Sequence, residues 1–221
     1  MTAVRNVFNS DHVADYDKNA EKANWLDPAI TFGMAYQFVQ PGDRLLDIGI
    51  GTGLSSQLFY KAGLEIHGID FSPKMLAGCR SKQIAKDLKE HDLSIPPYPY
   101  GTDSMDHAVC TGVTHLFKDL TPIFQELGRI LKPGGVFAFV VPDCQTGEVR
   151  EIQVNSRHSP GDKVTIFSYS RQDIHTLLDS HGFVPVCDLT FEASAIGRRT
   201  AQYKAYVVKK QNRHPNSRTC L

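Results

Sequence analysis

Hydrophobic positions fall into two recurrent patterns along this chain. From Asn24 to Val39 apolar residues such as Trp25, Leu26, Ile30 and Phe38 recur at helical spacing, and Pro41-Gly42 stops the pattern. Short continuous apolar runs follow at Arg44–Ile48, Glu65–Asp70, Asp106–Val113 and Gly135–Val141, which predicts buried strands. Between them lie Leu54–Ala62, Pro73–Asp87 and Phe117–Leu131, the last carrying Phe117, Leu120, Phe124, Leu127 and Leu131 on one helical face. Alternating strand and helix predicts a parallel sheet covered on both faces, with ligands bound beyond the carboxyl ends of its strands.

After Val141 the pattern changes. Glu148–Val154 and Lys163–Ser168 alternate apolar with polar residues around a turn signal, Ser159-Pro160-Gly161-Asp162, so a hairpin or lid is expected. Arg171–Ser180 reads as a helix with Ser170 at its N-cap and Gly182 past its end. Two final strands are expected, near Phe183–Phe191 and Gln202–Val208, and the polar stretch from Lys209 onward offers nothing to bury.

Composition sets bounds. At 221 residues and 41% hydrophobic, the chain suits one α/β domain better than two. Lys plus Arg and Asp plus Glu both number 24, so no global field draws it to nucleic acid or an anionic membrane, and a small-molecule partner is expected. The five cysteines are scattered without a CxxC pair or metal-ligand spacing, which predicts neither a disulfide framework nor a zinc site. No secretory leader pattern and no long apolar run is visible, so a cytoplasmic monomer or homodimer is expected, without membrane contact.

The most informative segment is LLDIGIGTGLSS, Leu45 to Ser56, where a strand runs into Gly49, Gly51 and Gly53 and then a helix. Leu54 stands where a dinucleotide fingerprint needs its third glycine, and no Lys-Ser or Lys-Thr follows as a Walker loop requires. An acid, Asp47, precedes the first glycine and can accommodate positive charge on a ligand that brings no diphosphate.

This acid-h-G-x-G-x-G pattern resembles the first motif of class I S-adenosylmethionine-dependent methyltransferases. EIHGIDFSPKML ends its strand in Asp70, about twenty residues on, where the resemblance implies a carboxylate that accepts the ribose hydroxyls. The alternative role for Asp70 is a helix cap, although Ser72 can cap without it. HDLSIPPYPYGTDSMDHAVCTGVTHLF resembles the adenine-binding segment and fourth strand of that family, with Asp92 facing the adenine amino group and Leu93 supplying backbone, or with Asp92 merely capping a turn. ELGRILKPGGVFAFVVPD resembles the helix stop before the fifth strand.

These features run in family order from Asp43 to Asp143. They imply a Rossmann-like, seven-stranded, mostly parallel sheet with helices on both faces and an antiparallel last strand. Phe71 and Met75 are also implied as donor contacts, and Cys110, Thr111 and Gly112 beside the methyl group. His115 follows as the candidate general base, or as a cap or core histidine. VADYDKNA resembles the Tyr-Asp segment that folds over the donor in ubiquinone- and biotin-synthesis methyltransferases, which makes Tyr16 a lid candidate or else an exposed helix residue. Trp25 fits a core position or an acceptor platform.

One domain over residues 1–208 follows: a helical lid (1–40), a donor-binding core (41–143), an insertion or lid (144–170), and a C-terminal helix with strands (171–208), then a flexible tail (209–221). The expected reaction moves a methyl group from S-adenosylmethionine to a small molecule, leaving S-adenosylhomocysteine, with no metal. Alternatives are a protein or peptide methyltransferase and a non-catalytic S-adenosylmethionine-binding partner. No Asn- or Asp-Pro-Pro-Tyr ends the fourth strand, and Pro96-Pro97-Tyr98 precedes it as a rigid turn, so base and glutamine-amide methylation are disfavoured.

Overall fold

The structure, a computed structural model, describes residues 2–10, 15–144, 150–155, 163–194 and 200–212. Strands β1 (Arg44–Ile48), β2 (Glu65–Asp70), β3 (Ala85–Glu90), β4 (His107–Cys110), β5 (Val136–Pro142), β8 (Phe183–Ser194) and β9 (Thr200–Lys210) form a seven-stranded sheet in the order β3-β2-β1-β4-β5-β9-β8. The first five pair in parallel, and β9 runs antiparallel to both β5 and β8. β6 (Arg150–Asn155) and β7 (Lys163–Ser168) form a separate antiparallel hairpin; the expected turn at 159–162 lies outside the described residues.

Helices cover both faces of the sheet because successive strand residues point opposite ways. Leu46 and Ile48 of β1 pack with α6 (Thr121–Ile130) and α7 (Arg171–Ser180) around Phe124, Phe137 and Phe139. Leu45, one residue before Leu46, packs on the other face with α3 (Asp27–Ala35), α4 (Ser56–Lys61) and α5 (Pro73–Ser81), through Ala35, Phe59 and Leu76. β4 and β5 are buried at every position, as strands covered on both sides must be. Ser170 caps α7 reciprocally with Asp173.

Strand order reverses between β1 and β4, and the loops leaving these neighbours diverge there to open a crevice. α1 (Thr2–Phe8) and α2 (Tyr16–Lys22) lie over that end, and Val4 and Val7 of α1 pack on Val164 of β7. Among the described residues no helix is long and apolar enough to cross a membrane.

Besides shifts of a few residues at several element ends, including β4, which stops at Cys110 rather than Val113, three boundaries differ from the sequence expectation in ways that change the picture. The helix expected over Pro73–Asp87 ends at Ser81, Gln83 turns with φ +54, and Ala85–Glu90 forms edge strand β3. AKDLKE has no apolar run because β3 is only partly buried and paired on one side. The helix expected from Phe117 starts at Thr121, with Pro122 in its first turn. β9 enters the expected tail as far as Lys210, whose buried ammonium donates to the Leu131 carbonyl and pairs with Asp103 at 2.8 Å; residues 213–221 lie outside the described residues.

Candidate functional site

The glycine bend after β1 is stitched to the end of β2. Gly49 and Ile50 donate their N–H groups to the Ile69 carbonyl at 2.8 and 3.0 Å. Gly51 donates to Asp70 Oδ2 at 2.9 Å, and Ser72 donates to Asp70 Oδ1 at 2.8 Å. Asp70 is therefore held by the backbone at both oxygens while buried, and burial pushes its pKa up to about 6. Gly49 has φ +69, and a Cβ there would lie 2.4 Å from Val113 Cγ2, so only glycine lets this bend meet the loop after β4.

Around the bend lies a cavity that opens to solvent. Gly49, Gly51, Asp70, Phe71 and Met75 are among the residues lining it, as are Asp92, Leu93, Thr111, Gly112 and Tyr16. Asp47, Gly53 and Cys110, expected beside them, sit behind the wall. Asp47 is buried, accepts from Ser56 Oγ at 2.6 Å, and is pushed up to about 7 by burial and the nearby Asp70. Gly53 faces Cys79 and Ile84. Cys110 is fully buried in β4, which raises its thiol pKa beyond useful nucleophilicity.

Sequence reasoning named no residue of α1 for this cavity, yet Val4, Arg5 and Phe8 complete its wall. Arg5 pairs with Asp92, and Ser72 Oγ donates to the Phe8 carbonyl at 2.6 Å. The signal was the apolar face formed by Val4, Val7 and Phe8, in a helix too short to stand out. α2 is fixed through Asp17, which accepts from Thr52 Oγ1 at 2.5 Å and pairs with Lys82 at 2.5 Å. Tyr16 thus hangs over the bend, its hydroxyl pKa raised by burial first and then by Asp70.

A second, more open cavity adjoins the first and shares Phe8, Tyr16, Trp25, Gly112 and Leu116 as wall. Val164 and Ile166 of the hairpin form another side, with Asp27, His115 and Tyr203 as polar lining. Gly112 has φ +69, and a Cβ there would lie 3.0 Å from Trp25 Cζ2, so the indole packs on bare backbone at the junction. The loop carrying these residues is pinned by Thr114 Oγ1, donating to the Val140 carbonyl at 2.6 Å, and by Tyr169, donating to the Phe117 carbonyl.

His115 lines the second cavity and is absent from the wall of the first. Burial lowers its pKa to about 4, so at neutral pH it is a neutral imidazole. Asp27 was not singled out because Asp-Pro reads as an ordinary helix start. It is buried at the first turn of α3, hydrogen-bonded by Trp25, and its pKa is pushed up to about 6 by burial.

Residues 46–139 match a family model described as a methyltransferase domain. The chain is 34% identical to the malonyl-[acyl-carrier protein] O-methyltransferase of Serratia marcescens over 45% of its own length and 38% of that protein. It is 30% identical to the phosphatidylethanolamine N-methyltransferase of Cereibacter sphaeroides, over 45% of this chain and 50% of that one. The aligned region thus spans half or less of these curated relatives. In fold the chain is similar to a SAM-dependent methyltransferase from Methanosarcina mazei, with TM-score 0.70 and 16% identity, over 80% of this chain and 97% of that one. The chain therefore resembles class I S-adenosylmethionine-dependent methyltransferases in motif order and in fold.

Proposed function

We propose that this chain, which carries a methyltransferase domain over residues 46–139, transfers a methyl group from S-adenosylmethionine to a small-molecule acceptor by in-line displacement. The observation that carries this reading is the pair of adjoining cavities with Phe8, Tyr16, Trp25, Gly112 and Leu116 as common wall. One cavity has the features of a nucleoside site. The other has room for a metabolite.

The donor, when bound, supplies a methyl group on an already activated sulfonium, so the protein chiefly aligns the acceptor and excludes water. Asp70, held by Gly51 and Ser72, accepts the ribose hydroxyls. Asp92 and Leu93 take the adenine edge, with Arg5 of α1 closing over Asp92. Tyr16, Thr111 and Gly112 flank the passage to the second cavity. His115 serves there as a neutral hydrogen-bonding group. α1 and the β6–β7 hairpin act as lids over the acceptor cavity, which Val7, Val164 and Ile166 line. That covering favours a small molecule over a protein substrate.

Incubating the full chain with S-adenosylmethionine and cell extract split by dialysis tests this. S-adenosylhomocysteine is expected to accumulate with the dialysable metabolites. Its formation with the retained macromolecules alone, or with neither fraction, would overturn the proposal.

A further inference from the structure

Among the described residues, the wall of the second cavity holds one carboxylate and no cationic side chain. That carboxylate belongs to Asp27, which is only 5% exposed and receives hydrogen bonds from the Trp25 side chain and its own backbone N–H. A buried carboxylate with so little neutralisation is costly when ionised. A ligand bringing positive charge would remove that cost.

The rest of the wall points the same way. Tyr16, Trp25 and Tyr203 place aromatic surface around the cavity, and aromatic faces attract organic cations. The apolar lining, including Val7, Ala20, Pro142 and Ile166, suits a hydrocarbon body attached to such a group. An acceptor bearing a carboxylate or phosphate would meet Asp27 with, among the described residues, no cation in the wall to offset the repulsion.

We infer that the acceptor is a small organic amine, bound as its ammonium form by Asp27 among the aromatic rings Tyr16, Trp25 and Tyr203, and methylated on nitrogen. The inference rests on the methyl-transfer reading above. Asp27 first takes a proton from the ammonium, which leaves a neutral amine with a free lone pair. That pair forms the new nitrogen–carbon bond as the carbon–sulfur bond breaks, and the bonding electrons leave with sulfur. The product is a methylated ammonium plus neutral thioether, and Asp27 returns its proton to solvent. A carboxylate whose pKa burial brings to about 6 takes a proton more readily than His115, whose pKa lies near 4.

Ligand-observed nuclear magnetic resonance with the full chain saturated in S-adenosylhomocysteine tests this with phenethylamine, 2-phenylethanol and 3-phenylpropionate, similar in shape but different in charge. Phenethylamine is expected to bind at least tenfold more tightly than the other two, and Asp27→Asn to abolish that preference. Equal binding of all three, preference for the acid, or no binding by the amine would overturn the inference. Calorimetry with S-adenosylhomocysteine separates the two levels. Normal nucleoside binding without amine selectivity sinks only the acceptor assignment, whereas loss of nucleoside binding by wild type sinks the methyl-transfer reading as well. Asp27→Asn is expected to hold S-adenosylhomocysteine within threefold of wild type, which also reports that the variant is folded; wild-type selectivity decides the matter without it.

Discussion

Asp70→Ala is expected to weaken S-adenosylhomocysteine binding at least thirtyfold, about 2 kcal/mol, by calorimetry at pH 7.5. The carboxylate has a twofold role in this account. It accepts the ribose hydroxyls in the proposed complex, and it receives Gly51 and Ser72 backbone N–H groups that shape the cavity floor. Charged hydrogen bonds of this kind contribute about 1.5–3 kcal/mol each.

The same residue fixes a pH dependence. Burial raises the Asp70 pKa to about 6 from 3.8, so the folded protein holds a proton there at pH values where the unfolded chain has released it. Its contribution to stability is greatest in acid and is lost as pH rises through about 6. Nucleoside binding requires the ionised form and runs the opposite way. The wild-type dissociation constant is expected to rise about tenfold from pH 7 to pH 5, while that of Asp70→Ala stays flat across this window. A pH-independent wild type would show that Asp70 does not meet the ligand.

Gly49→Ala is expected to lose about 3 kcal/mol of folding stability, read by denaturant unfolding, and detectable nucleoside binding with it. Two costs combine. A non-glycine residue at φ +69 is penalised by about 1–2 kcal/mol, and its Cβ would fall 2.4 Å from Val113 Cγ2. Val113→Ala removes that second obstacle. In a double-mutant cycle the pair should be less destabilised than the sum of singles by about 1–2 kcal/mol, with the backbone cost remaining. Additive effects would mean that the bend and the loop after β4 do not press on each other.

How much of this was legible in sequence depended on whether a residue's partner is near in the chain. The apolar runs of β1, β2, β4 and β5 carry their burial in their own composition, and those strands lie where the pattern put them, with shifts at their ends. β3 was missed because a half-exposed edge strand needs no apolar run, and AKDLKE continued a helical pattern. Within the site, the bend and Asp70 could be placed because one strand-helix-strand unit fixes their separation. Asp47, Gly53 and Cys110 sit in the right segments but behind the wall, since segment identity does not say which positions of a strand or bend face the cavity. Arg5 and Asp27 were missed because what brings them to the cavities is packing of α1 over the sheet's end and of α3 on its face, long-range events without a local motif.

A crystal structure grown with S-adenosylhomocysteine is expected to place the ribose hydroxyls on the Asp70 carboxylate, the adenine beside Leu93, and the sulfur facing the Tyr16, Trp25 and Gly112 junction with the second cavity. A nucleoside seated elsewhere, or a bend found filled by the protein's own side chains, would contradict it.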